Sequence, residues 1–246
     1  MLRETPHEVV LLGLSDAWRD RRASTRRHLA RSGPRILPWL FAEFAAPRLL
    51  RGNGAVGPLG AAALERRVPP TTTASVNSAA TQGMLEALRP DLIVTCHFDQ
   101  ILAPATIATA RLGGINLHPS LLPLHRGPMP CFWAAADGGN AHLGVTVHRL
   151  VPRIDAGAIL AQRAVQPLVG ATVSATARQL HLVGAELLLQ VIEDIADGRD
   201  LGRDVPLLPY RPFPTRVDLA AAAKRGVRLT GWADLRAARA LGGTLL

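Results

Sequence analysis

Asp91 to Cys96 reads DLIVTC, a short run with no polar alternation. A strand that is apolar on both faces has to be covered on both, as in parallel sheets flanked by helices. Helical stretches stand on either side. Ser78 caps one that runs to Leu88 and stops before Pro90, and Ala105 to Arg111 forms a shorter one ended by Gly113. Ile115 to Leu117 begins the next strand. Pro130 to Asp137 reads as helix, and Leu143–Leu150 and Ala158–Val165 read as strands around a turn. Thr172 to Ala196 is the strongest helix, with Val173, Ala177, Leu180, Leu187, Val191 and Ile195 on one stripe. Upstream, Glu8–Leu12 reads as a buried strand and Ser15–Arg31 as a polar helix capped by Ser15 or Asp16. Ile36–Leu50 reads as an apolar helix, Arg51–Gly60 as a glycine-rich loop and Thr71–Val76 as a strand. Such alternation predicts an α/β fold with an open, mostly parallel Rossmann-like sheet. After Asp200 the pattern weakens: VPLLPYRPFPT is proline-rich and extended, and Asp218–Arg225 reads as a last helix. The expected organisation is one α/β domain over 1–200 and a C-terminal extension over 201–246.

The 246 residues, 48% of them hydrophobic, suffice for a proper core. No apolar run approaches the ~20 residues of a membrane helix. Glu4 and Glu8 leave only Val9–Leu12 as an apolar stretch near the start, which is not a secretory signal. Cys96 and Cys131 make neither a metal-ligand spacing nor a disulfide framework. The chain reads as soluble and cytoplasmic, with no metal. A net charge of +9 invites a nucleic-acid partner. Against that, Lys224 is the only lysine among 28 basic residues, and 4% aromatics leave few stacking platforms. Arg19, Arg21, Arg22, Arg26, Arg27, Arg31 and Arg35 cluster on one segment. They read first as a solvated helix face and second as a contact for a phosphorylated or acidic substrate.

The chemistry concentrates in GGINLHPSLLPLHRG, Gly113 to Gly127. Residues i and i+2 of a strand share a face, so Asn116 and His118 look the same way near a strand's C-terminal end, where open α/β sheets bind ligands. Pro119 and Pro123 keep the following loop out of strand and helix. An amide supplies N–H donors for a developing oxyanion, and an imidazole can move a proton. A satisfied structural histidine is the plain alternative. Asp155 lies in the turn VPRIDAG, where an aspartate ordinarily caps its own backbone. Folded against His118, its carboxylate would orient that ring and raise its pKa.

From NLHPSLLP through RG, GVT and DAG the sequence resembles the folate-dependent formyltransferase family, whose pattern is Asn-x-His-x-Ser-Leu-Leu-Pro, Arg-Gly, Gly-Val-Thr and Asp-x-Gly. PDLIVTCHFDQIL is similar to the strand and loop preceding it, and the likeness runs from about Val76 to Asp200. The resemblance implies an enzyme that moves a formyl group from 10-formyltetrahydrofolate to a primary amine. Asn116 and protonated His118 would stabilise the oxyanion, and Asp155 would hold His118 charged and assist proton removal. The pterin would lie between Gln100, Ile101 and Leu102 and the Val151–Asp155 turn, with Arg153 and Ile154, against Ser120, Leu121, Leu122 and Pro123. Cys131 is expected as a core thiol. His97, His125, His142 and His148 receive no role.

Family members usually open with a further strand before a segment like HEVVLLG. Either Glu8–Leu12 is the first strand, or that strand is missing and the sheet needs repair or a homodimer. The segment after residue 200 is too short for the appended barrel of tRNA formyltransferases, which argues against tRNA. The expected acceptor is therefore a small amine: an amino sugar, a sugar nucleotide or a natural-product amine. The rival readings are a tRNA enzyme without its appendage, a catalytically silent folate-binding homologue and, weakest, a metal hydrolase.

Overall fold

The computed structural model describes residues 3–15, 21–49, 58–138, 142–199 and 202–241. In chain order the elements are β1 (Leu12–Ser15), α1 (Arg21–Ser32), a helical run over 34–49, α4 (Pro58–Glu65) and β2 (Pro70–Thr73). Within that run, a 3-10 turn (Pro34–Ile36) leads to α2 (Leu37–Leu40), a π segment (Phe41–Ala45) and α3 (Ala46–Leu49). Then come α5 (Ala79–Leu88), β3 (Ile93–Cys96), α6 (Pro104–Ile107), β4 (Gly114–His118), α7 (Pro130–Ala136), β5 (Gly144–Arg149) and β6 (Ile159–Ala164). Helices α8 (Val173–Ala196), α9 (Arg216–Lys224) and α10 (Trp232–Leu241) complete it.

The strands form two open sheets, β1–β2 and β3–β4–β5–β6. The pairings β1/β2 and β3/β4 are parallel, whereas β4/β5 and β5/β6 are antiparallel. For β5 and β6 this follows from chain length, since the turn that joins them is too short for a crossover. α8 packs on β4, β5 and β6. Thr172 caps it by accepting from the Ala175 N–H. Val173, Leu180, Leu187, Val191 and Ile195 face Ile115, Leu117, Val145 and Val147 in one core. Gly184 permits that approach, because a Cβ there would lie 2.6 Å from Leu117 Cδ1.

Several elements differ from the sequence reading. The strand expected over Glu8–Leu12 is shifted to Leu12–Ser15. The preceding backbone instead follows α4, where Arg66 donates to the Arg3 and Thr5 carbonyls. Ser15 belongs to β1 and does not cap α1, and Asp16 and Arg19 lie outside the described residues. The helix expected over Ile36–Leu50 runs through to Leu49 but changes type over the π segment Phe41–Ala45, and Pro38 sits in its first turn, where no N–H is needed. Of the loop expected over Arg51–Gly60, residues 51–57 lie outside the described part, and Pro58 opens α4. α10 escaped the sequence reading.

β1–β2 and the larger sheet share no strand pairing among the described residues. The Gln100 side chain ties the two together, accepting from the Val76 N–H at 2.8 Å and donating to Ser15 Oγ at 2.8 Å. Beyond Gly202 the chain returns over the sheet. Arg203 pairs with Ile159, Trp133 Nε1 donates to Pro212 O, and Ser32 Oγ donates to Pro214 O.

Candidate active site

β4 places Asn116 and His118 on the face opposite Leu117, which meets α8. In the antiparallel register Asn116 lies across from His148, and His118 across from Thr146. Asn116 Oδ1 accepts from Thr95 Oγ1 at 2.8 Å, and its Nδ2 lies 3.1 Å from His148 Nε2. His148 Nε2 stands between that amide and the Asp155 carboxylate. The Nδ1–H of the ring goes to the Arg149 carbonyl at 2.9 Å. One N–H of Asn116 faces His148, and the other is left over.

His118 is 5% exposed. Its Nδ1 is 3.6 Å from Asp155 Oδ1, an ion-pair distance, and its Nε2 is 3.3 Å from the His125 carbonyl. Burial lowers its pKa below the ordinary imidazole value, against the pull of the Asp155 carboxylate and the His125 carbonyl. Asp155 sits at φ +47°, a left-handed conformation that a non-glycine residue adopts at a cost. Its Oδ2 accepts from the Gly127 N–H at 2.9 Å, and its Oδ1 is 3.7 Å from His148 Nε2. Burial alone would raise its pKa. The His118 and His148 rings and the Gly127 N–H outweigh that and hold it at about 2.

Thr146 fixes the loop after β4. Its hydroxyl donates to Ser120 O at 2.6 Å and accepts from the Leu122 N–H at 3.0 Å. Gln162 Nε2 adds bonds to Leu122 O and Thr146 Oγ1. Ser120 Oγ donates to Leu124 O, and Leu121 packs over Gly144, where a Cβ would lie 2.5 Å from it. The Leu122–Pro123 peptide is cis.

Asn116, His118 and Asp155 therefore meet at one place, with the Ser120–Pro123 loop tied to β5 beside His118. Ile154 is half-buried in the Asp155 turn, and Arg153 is exposed. Gln100, Ile101 and Leu102 follow β3 and are bound toward the smaller sheet. Gln100 is committed to Ser15 and Val76, Ile101 accepts from Asn77 Nδ2 through its carbonyl, and Leu102 is buried. Within that trio Ile101 alone presents an exposed side chain.

Sequence reasoning missed His148 and Arg126. His148 joins the site only through the β4/β5 register, a signal that pairing alone supplies. Arg126 is a buried cation that donates to the Ile154, Asp155 and Leu208 carbonyls. Cys131 is a buried thiol pushed up to about 12 by burial, and Cys96 is pushed up to about 11. Neither pKa suits a nucleophile at neutral pH. His125 points its Nε2 at Asp137, 3.2 Å away, and Arg211 shares that carboxylate at 2.8 Å while lying over the Trp133 ring. Among the described residues no three His, Cys, Asp or Glu side chains are grouped to hold a metal ion, and no helix is long and apolar enough to cross a membrane.

A family model described as formyl transferase matches residues 57–192, more than half of the chain. The methionyl-tRNA formyltransferase of Roseiflexus castenholzii is 38% identical over 141 residues, 57% of this chain and 45% of that protein. The chain thus spans less than half the length of such relatives. Glycinamide ribonucleotide transformylase 1 from Symbiobacterium toebii superposes with a TM-score of 0.52 at 25% identity, covering 59% of this chain and 74% of the other. The formyltransferase PseJ from Anoxybacillus kamchatkensis, solved with a UDP-linked formamido sugar and tetrahydrofolate, gives a TM-score of 0.51 at 20% identity over 73% of this chain and 90% of that one. That last likeness is one of fold.

Proposed function

The chain belongs to the formyl transferase family, and from that premise we propose that it moves a formyl group from 10-formyltetrahydrofolate to the primary amine of a small acceptor. The observation that carries this is the meeting of Asn116, His118 and Asp155, with 3.6 Å between the imidazole and the carboxylate. The donor supplies an activated formyl carbon on N10. The unused N–H of Asn116 is free for the formyl oxygen as it gains negative charge, and Thr95 keeps the amide from flipping. Because burial favours the neutral ring, His118 starts as a base. It takes the proton the amine loses as the new C–N bond forms. Asp155, still charged, stabilises the imidazolium, and the proton passes to N10 as the old C–N bond breaks.

The cofactor surface is formed by Ser120, Leu121, Leu122, Pro123, Arg153 and Ile154 with Gln100, Ile101 and Leu102. In this reading residues 1–200 form the catalytic unit and the extension after 201 closes it. The Arg126–Arg211 contacts beside Asp155 support a roofed site and a small acceptor. A second reading has tRNA as acceptor. The methionyl-tRNA relatives favour it, as does α1, whose Arg22 and Arg26 meet no acidic partner among the described residues. The test is purified protein with 10-formyltetrahydrofolate and three acceptor sets: amino sugars, nucleotide-linked amino sugars and methionyl-tRNA, scored for tetrahydrofolate release. Release with small amines alone supports the first reading, release with methionyl-tRNA alone moves the assignment to the second, and no release with any of them refutes both.

A further inference from the structure

Arg126 is 3% exposed. Among the described residues its guanidinium donates to three carbonyls from two distant segments: Nε to Asp155 O at 3.0 Å, Nη2 to Ile154 O and Nη1 to Leu208 O at 2.8 Å. We propose that Arg126 is the positioning residue of the site, and that by gripping two consecutive carbonyls of the Asp155 turn and one of the C-terminal strap it sets where the Asp155 carboxylate stands against His118. The proposal rests on the formyl-transfer reading.

Three features single this residue out. The turn needs holding, because Asp155 is in the left-handed region without being a glycine. The grip is doubled, since Arg126 takes the turn's backbone while the next residue, Gly127, takes the Asp155 side chain through its N–H. The strap is locked to the same point. Arg211 N–H donates to Arg126 O at 2.8 Å, and a Cβ on Gly127 would stand 2.1 Å from the Arg211 carbonyl. A planar fork serves several acceptors at once, and a lysine ammonium on a flexible stem does not reproduce that. Without the guanidinium, the turn carbonyls lose their donors and the carboxylate is free to swing.

A buried cation could also serve stability alone, so the readout is His118 itself. The groups facing or near it are Asp155, His148 and His125, with His181 on α8. On the full chain, the His118 imidazole is titrated by NMR, its signal assigned by loss in His118→Gln. Asp155→Asn moves the titration to lower pH, because the carboxylate that favours the imidazolium is gone. Arg126→Met moves it the same way, and the double variant adds nothing further. Arg126→Lys falls between, and kcat in Arg126→Met drops by about 100-fold, the scale of a misplaced catalytic group. Arg126→Met and Arg126→Lys titrating like wild type while Asp155→Asn shifts would overturn the proposal. Should Arg126→Met fail to fold, Arg126→Lys decides by the same criterion. Absence of formyl transfer in the wild type would remove the catalytic reading and leave the titrations to judge Arg126 on their own.

Discussion

The β4/β5 centre and the β1/β2 pair are both made of short strands, yet they are held in different ways. In the centre Ile115, Val145 and Val147 are completely buried against α8, and the opposite face carries Asn116, His118, Thr146 and His148, each with a polar partner. In the small sheet Leu12 and Leu14 are half-buried, and among the described residues Gln100 ties β1 to the loop after β3 through Ser15. A polar cluster can be buried where cross-strand partners satisfy it. The proposed reactive groups lie where partners are dense.

Substitutions separate the two regions. His118→Ala lowers kcat/KM by at least ~100-fold, about 2.7 kcal/mol in transition-state free energy, and also lowers the melting temperature, because the buried Asp155 carboxylate loses its ion-pair partner. A smaller loss in steady-state kinetics would take His118 out of the chemistry. Asp155→Asn gives a similar loss, and the acid limb of the rate profile, set by protonation of His118, moves to lower pH because the carboxylate no longer raises that ring. It also changes acid stability. The folded pKa of about 2 lies below the ordinary carboxylate value, so the wild type holds a stability contribution above pH ~4 that is lost as pH falls toward 2. Acid denaturation curves of the variant lack that loss. Thr146→Val keeps the shape of a fully buried side chain but removes the hydroxyl that ties the loop, costing ~1–3 kcal/mol in urea unfolding. Gln100→Ala, on the sparse side, costs about 1 kcal/mol by the same measurement and shows chiefly in KM for the formyl donor, with kcat lowered far less than in His118→Ala. A larger kinetic loss there would erase the contrast between the regions. Arg22→Ala with Arg26→Ala changes stability by less than about 0.5 kcal/mol, and a specific loss of activity on methionyl-tRNA would point to the tRNA reading.

Much of this was legible in residue order. DLIVTC became β3, the Thr172–Ala196 pattern became α8 with Thr172 as its cap, and the i, i+2 relation put Asn116 and His118 on one face. Local rules suffice where the signal is period, cap or turn. They missed α10, although the amphipathic pattern of WADLRAARAL is plain, and the π segment inside the Ile36–Leu49 helix.

Residue order determined which strands form and what chemical groups β4 carries, since backbone period and side-chain type are local properties. Tertiary structure alone decided that His148 stands across from Asn116, that Asp155 comes to 3.6 Å from His118, and that Arg126 fastens the turn and the strap together. Those facts depend on strand register and on loops closing over many residues. Hydrogen-bond satisfaction of the whole fold sets them, and no short stretch of sequence records it.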